Sequence, residues 1–298
     1  MNYAVGLDIG GTNAKAVCVT PRGKILVKKQ FLTDERARDW KELIRKNLES
    51  LQFRRASWIG IASPGLAAPD NHSIWWMQGR MNTVEGLNWT RLLKSKRTIP
   101  VLNDAHAALL GEVWLGAAKD CRNAILFTLG TGVGGAILEN GRLLQGAISR
   151  AGHLGHISLN PDGAPDVADT PGSLENAIGE CTLAKRTQNR FASTRDLIAA
   201  AKAGDADAEK IWDRSVYELA CGIASIINVA DPEVVIIGGG IAKAGHDLFA
   251  PLKKHLAQVE WRPHGHRVRL VPARLGEWAG ALGAARYAMD FKTANRRV

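Results

Sequence analysis

Three times in this chain an apolar run of strand character stops at a glycine turn, and that pattern restricts the fold more than any other feature. Val5-Gly6-Leu7-Asp8-Ile9 meets Gly10-Gly11-Thr12-Asn13. Ala124 to Leu129 meets Gly130-Thr131-Gly132-Val133-Gly134-Gly135, and Val234-Val235-Ile236-Ile237 meets Gly238-Gly239-Gly240. Glycine permits positive φ and leaves backbone N–H groups bare, so such turns can close around phosphate oxygens. Taken alone, the first turn reads equally well as an ordinary hairpin between strands at Tyr3–Ile9 and Ala14–Val19. Three such turns on one chain favour phosphate binding. Thr12 adds a hydroxyl donor, and Asp8 at its strand end is suited to a hydrated Mg2+. The first two turns each join two strands, as duplicated halves facing each other across a cleft would. None fits the Walker pattern or a G-x-G-x-x-G opening a helix.

The chain has 298 residues, of which 46% are hydrophobic, enough for a sizeable core in two medium domains. No stretch reaches the roughly 18 uncharged apolar residues that span a bilayer, and the start has no basic and apolar leader, so a cytoplasmic protein is expected. Cys18, Cys121, Cys181 and Cys221 stand singly and are expected to be reduced core thiols. The formal net charge of +10 raises a polyanion as partner. The basic clusters at 22–29, 36–46, 54–55, 91–97 and 262–274 lack an aromatic-interleaved stripe, so solvated faces are expected and no nucleic acid.

In chain order, Lys24–Val27 extends the first sheet, Trp40–Leu48 has helical spacing, and Trp58–Ala62 is a strand ending at the turn Ser63-Pro64-Gly65. Asp70–Trp89 mixes Trp75, Trp76, Gln78, Arg80, Asn82 and Asn88 in a loop-like stretch. It reads either as a sugar-contacting lid or as a segment packed on its own domain. Pro100–Asp104 ends a short strand before a small-residue helix over Ala105–Trp114. Asn103-Asp104 is by itself an N-cap; beside phosphate turns, Asp104 is also well placed as a catalytic base. A second half opens at Ala124, with a boundary near Leu115–Cys121 and hairpins completed by Gly134–Leu138 and Gly141–Leu144. Helices are expected over Ala177–Lys202 and Ala206–Val229, with another directly after Gly240, and a final small-residue helix spans Gly276–Met289.

In order and spacing, Asp8-Ile9-Gly10-Gly11-Thr12 through Lys15, Asn103-Asp104, Leu129-Gly130-Thr131-Gly132, Gly152-x-x-Gly155-His156 and Gly238-Gly239-Gly240 resemble the ROK family of sugar kinases over nearly the whole chain. The resemblance implies an α/β, two-domain ribonuclease-H-like fold of actin/hexokinase type with a cleft between domains. The N-terminal domain would be residues 1–116, joined by a C-terminal helix at 283–298, and the second would be 117–282. It implies ATP and Mg2+ as cofactors and a homodimer. The nucleotide would be held by Asp8, Gly10, Gly11, Thr12, Lys15, Gly130, Thr131, Gly132, Gly238, Gly239 and Gly240. A small sugar would lie against Gly65, Asn103, Asp104, His153, His156 and Glu175, with Asp104 as general base.

Departures from the family pattern sharpen the expectations. Where the family carries a Pro-Asn step, this chain has Gln78-Gly79-Arg80. The three cysteines of a structural zinc motif fall on Asp166, Ala168 and Ser173, so no structural zinc is expected. The family's Gly-Glu-x-Gly-His reads Gly152-His153-Leu154-Gly155-His156, which makes glucose a doubtful best substrate. Some family members are transcriptional regulators with a DNA-binding module ahead of the first ribbon, for which no room is expected here. The competing readings are a catalytically silent sugar sensor on the same fold and a kinase that uses polyphosphate as donor.

Overall fold

The computed structural model describes residues 2–33, 39–77 and 81–294. In chain order the elements are β1 (Ala4–Ile9), β2 (Asn13–Val19), β3 (Ile25–Leu32), α1 (Trp40–Ser50), β4 (Trp58–Ser63), β5 (Leu66–Ala67), β6 (Ile74–Trp76), α2 (Trp89–Leu92), β7 (Val101–Asn103) and α3 (Asp104–Leu115). There follow β8 (Ala124–Leu129), β9 (Val133–Glu139), β10 (Arg142–Leu143), α4 (Leu174–Ile178), α5 (Leu183–Arg186), α6 (Thr194–Lys202), α7 (Ala206–Ala230), β11 (Val234–Gly238), α8 (His246–Val259), β12 (Arg269–Pro272) and α9 (Ala279–Ala294). They fall into two compact units. One holds Met1–Asp120, Leu143–Ala151 and Arg274–Val298; the other holds Cys121–Arg142 and Gly152–Ala273.

The first unit is built on a sheet of order β3-β2-β1-β4-β7. β1 pairs antiparallel with β2 and parallel with β4, and β4 pairs parallel with β7. Alternation along β1 sends Val5, Leu7 and Ile9 to one core with Trp40, Ile44 and Leu48 of α1, and Ala4 to another with Ala281, Leu282 and Ala285 of α9. The three buried α1 side chains recur every four residues, and burying each contributes about 1.5–3 kcal/mol. On the other face the backbones almost touch. A Cβ on Gly6 or Gly60 would overlap the Ala281 or Ala284 carbonyl of α9, and one on Gly283 would overlap the Ala107 carbonyl of α3. The small residues of the last helix are therefore a packing requirement.

The second unit repeats the plan with a sheet of order β10-β9-β8-β11-β12. β8 runs antiparallel to β9 and parallel to β11, which runs parallel to β12. Its core gathers Ile125, Phe127 and Leu129 with the apolar face of α7, where Val216, Leu219, Ile223 and Ile227 are buried, and with Leu248, Leu252 and Leu256 of α8.

Three expectations need correction. Residues Ala177–Lys202 form no single helix: the chain breaks at Gly179, and again where Gln188 (φ 51°) and Asn189 (φ 60°) adopt the left-handed region before Ser193 caps α6. Gly240 leads first into a single 3₁₀ turn, Ile241–Ala244, and α8 starts only after Gly245 (φ 56°). Of the four thiols, Cys18 and Cys121 are buried and Cys221 is half-buried, but Cys181 is exposed, on a 3₁₀ turn (Glu180–Thr182) that buries none of its residues. Among the described residues no helix is long and apolar enough to cross a membrane.

Candidate active site

In the first unit the carboxyl ends of β1, β4 and β7 carry the sequence-predicted residues. The Gly10–Thr12 turn is closed by Gly10 N–H donating to the Asn13 carbonyl at 3.0 Å. Thr33 braces it: its N–H donates to the Thr12 carbonyl at 2.9 Å and its hydroxyl to the Gly10 carbonyl at 2.8 Å. Neither Gly10 nor Gly11 has a positive φ. Closeness constrains Gly10 instead, since a Cβ there would stand 2.9 Å from the Asn13 carbonyl oxygen.

Asp8 faces Lys15 across the β1–β2 ladder, and Lys15 Nζ lies 3.6 Å from Glu277 Oε2. The Asp8 carboxyl packs so closely on the start of α9 that a Cβ on Gly280 would overlap it. Burial, then the charge of Asp104, push its pKa up to about 7, against the pull of Lys15. A carboxylate held so far above its usual range lacks positive charge, which is the demand a divalent cation meets.

Asn103 caps α3. Its side-chain oxygen accepts from Ala105 N–H at 3.0 Å and His106 N–H at 3.2 Å, while its amide donates to the Gly65 carbonyl at 3.0 Å. Gly65 sits at φ 97°, where its carbonyl can meet Asn103. Asp104 follows at the first position of α3 and reaches solvent, with its Oδ1 accepting from Ala105 N–H at 2.8 Å. Burial at longer range raises its pKa, against hydrogen bonds from the Ala105 and Asp104 amides and the Asn103 side chain. Asn103 thus ties the Gly65 turn to the carboxylate.

In the second unit the β8–β9 turn is fixed on three sides. Gly130 and Thr131 carbonyls accept from Glu180 and Cys181 N–H at 3.0 and 2.8 Å, and Glu175 Oε2 accepts from Val133 N–H at 2.9 Å. A side chain at position 132 would run into that carboxylate. Beside this turn, Gly238 pairs with Thr128, and Gly239 (φ 90°) packs on the Leu129 backbone. A cavity of about 770 Å3 opens here, lined by Gly130, Thr131, Gly240, Lys243 and residues of α6. Two of the glycine turns therefore share one pocket.

His153 and His156 flank a 3₁₀ turn at Leu154–His156. Burial and the neighbouring His156 hold the His153 pKa down at about 4, so this imidazole is neutral at ordinary pH. His156 Nδ1 lies 2.8 Å from Asp166 Oδ2, whose carboxylate also accepts from Ala168 N–H at 2.8 Å and Thr170 N–H at 3.0 Å. Burial pushes the Asp166 pKa up, but these bonds, with one from Ser173, outweigh it and leave it below the usual value. Among the described residues no group of three or more His, Cys, Asp or Glu side chains could hold a metal ion.

Sequence reasoning passed over Thr33, Gly280 and Glu277, which brace the first site, and Glu180 and α6, which border the second. No local motif marks them, because each lies far along the chain from what it touches. Trp89 is buried edge-on to Trp40, at 6.4 Å between ring centroids, and so belongs to the core. Trp75 and Trp76 remain exposed. Gln78, Gly79 and Arg80 lie outside the described residues.

Twin sheets of matching strand order, with a carboxylate at the head of one helix and glycine turns at the strand ends, define an α/β protein of the two-domain actin/hexokinase type. A sequence profile of the ROK family matches residues 4–290. The chain is 32% identical to a glucokinase from Halalkalibacterium halodurans over 94% of its own length and 93% of the relative's. A glucokinase from Thermotoga maritima is also 32% identical, over 94% and 95%. Among solved structures, a ROK hexokinase from Thermus thermophilus is similar with a TM-score of 0.86 at 30% identity, covering 98% of this chain and 99% of that one. The chain belongs to the ROK family, and by class it is a carbohydrate kinase.

Proposed function

We propose that the protein transfers the terminal phosphoryl group of ATP to a hydroxyl of a hexose derivative or related polyol, with Asp104 as general base. The observation that carries this reading is the Asp104 carboxylate at the head of α3, oriented by amide hydrogen bonds and held above its usual pKa by burial, as suits a group that must accept a proton. Asn103 positions Asp104 and the Gly65 turn together. Asp8, supported by Lys15, would hold the hydrated Mg2+, with Gly10, Gly11 and Thr12 supplying backbone and hydroxyl donors toward phosphate. The second unit's cavity, bounded by Gly130, Thr131 and Gly240, would take the nucleotide. When bound, ATP supplies the phosphoryl group and Mg2+ neutralises its developing charge. The two units act as the two domains, in a cytoplasmic homodimer.

His153 sets the acceptor. A neutral imidazole offers one donor and one acceptor where a carboxylate offers acceptors only, so the hydroxyl pattern that fits best differs from that of glucose. Glu175 acts by holding the Gly130–Gly132 turn, and His156, oriented by Asp166, borders the same 3₁₀ turn as His153.

ADP release measured over a panel of sugars tests the activity. Asp104→Asn is expected to lower kcat by about 10²–10⁴-fold with KM little changed. No turnover with any sugar favours the silent sensor, faster turnover with polyphosphate favours that donor, and undiminished activity in Asp104→Asn removes this mechanism.

A further inference from the structure

Two of the basic clusters that the sequence presents as separate solvated faces converge in the first unit. Arg54 and Arg55, before β4, and Lys94, Lys96 and Arg97, before β7, ring a cavity of about 660 Å3. Ile59, Ile99 and Phe291 are among the apolar groups lining it, Ser57, Ser95 and Thr98 add hydroxyls, and among the described residues no Asp or Glu lines it. It lies at the amino ends of β4 and β7, whereas Ser63 and Asn103 stand at their carboxyl ends, so it is separate from the site around Asp104.

The cations divide into two groups. Arg97 is a fixed strut, donating to the Ser57 carbonyl at 2.5 Å and the Ala56 carbonyl at 3.3 Å. Arg54 is tied to Glu49 at 3.2 Å and lies over the Phe53 ring. Arg55 donates to the neutral Gln52 side chain at 3.2 Å. Among the described residues, Arg55, Lys94, Lys96 and Arg97 have no carboxylate within ion-pair distance. Like charges gathered around one concavity repel each other and focus a positive potential that an anion relieves.

We propose that this cavity is a second binding site, for a phosphate monoester with a small organic body. The cations and hydroxyls match the phosphate oxygens. The apolar lining suits the body, and the volume falls in the roughly 300–1,000 Å3 range of small-molecule sites. A nucleic acid needs a longer basic track with aromatic platforms. The site is independent of the kinase reading.

Calorimetric titration with phenyl phosphate tests it, with inorganic phosphate and a short DNA duplex as comparators and Lys94→Glu/Lys96→Glu as the variant. Phenyl phosphate is expected to bind wild type with a Kd at or below about 1 mM. The double variant is expected to lose about tenfold or more in affinity while keeping the wild-type melting profile and sugar-kinase turnover. Lys243→Glu, in the other unit's cavity, is expected to bind phenyl phosphate like wild type. The proposal is overturned if phenyl phosphate does not bind in that range, or if the double variant binds it unchanged. Equal affinity for inorganic phosphate would also overturn it, as would tighter binding of the duplex at the same lysines.

Discussion

Replacing Asp8 by Asn should stabilise the unliganded protein, and increasingly so as pH rises. Burial and the Asp104 charge push the Asp8 pKa up to about 7 in the folded chain, from the ordinary carboxyl value of 3.8. A carboxyl raised on folding contributes stability that is full below the unfolded pKa and is lost as pH climbs through the folded one. The loss therefore begins near 3.8, is complete above about 7, and is capped on the order of 4 kcal/mol at 1.36 kcal/mol per pH unit. Most of it accrues between about pH 5 and pH 8, and solvent reaching the half-buried carboxyl reduces that part to about 1–3 kcal/mol. Asn is close in shape and carries no charge, so Asp8→Asn escapes this loss. Amide hydrogen exchange of β1 reports the first unit separately from the second, and its opening free energy is compared between wild type and variant at the two pH values. The expected result is a variant advantage that grows by about 1–3 kcal/mol toward the higher pH. An advantage that does not change with pH, or a variant less protected near pH 8, would refute the reasoning from burial and from the Asp104 charge.

His153→Glu should move the kcat/KM ratio of glucose to the preferred sugar toward glucose by roughly tenfold, read from competition assays, and an unmoved ranking would end the specificity reading. Glu112 is fully buried, and its carboxylate accepts from Ala117, Arg274 and Leu275 N–H at 2.7, 3.0 and 2.8 Å. Glu112→Gln keeps one acceptor oxygen but sets an amide donor against another N–H, so a loss of about 1–3 kcal/mol is expected in urea unfolding. Metal analysis of chelator-free protein should find no structural zinc; one zinc per chain would overturn that expectation. Asp166→Ala should speed amide exchange at Ala168 and Thr170, whose N–H groups lose their acceptor.

The strands and glycine turns were legible in the sequence because their determinants are local. The alternation of Val5, Leu7 and Ile9 fixes which face of β1 is buried, and the turn residues mark where each strand must stop. Asn103-Asp104 announces a helix start by the same local logic, and the structure adds that the capping side chain also reaches Gly65, 38 residues away. The repeat of strand order in the two units follows from the paired strand-turn-strand patterns at Val5 and Ala124. The helix expected over Ala177–Lys202 failed because residue-by-residue helical preference cannot register the left-handed positions at Gln188 and Asn189.

The sequence alone thus determined which residue types stand at which strand ends, and with them the chemistry available to each unit. Tertiary structure decided what those residues experience. Asp8 titrates near neutrality because α9, more than 270 residues along the chain, closes on it at Gly280 while Asp104 adds its charge. Glu175 braces a turn 42 residues before it, and Arg54 and Lys96 ring one cavity although the chain sets them far apart. Desolvation and charge fields depend on distances in space, and a linear pattern carries those only where neighbours in sequence are also neighbours in the fold.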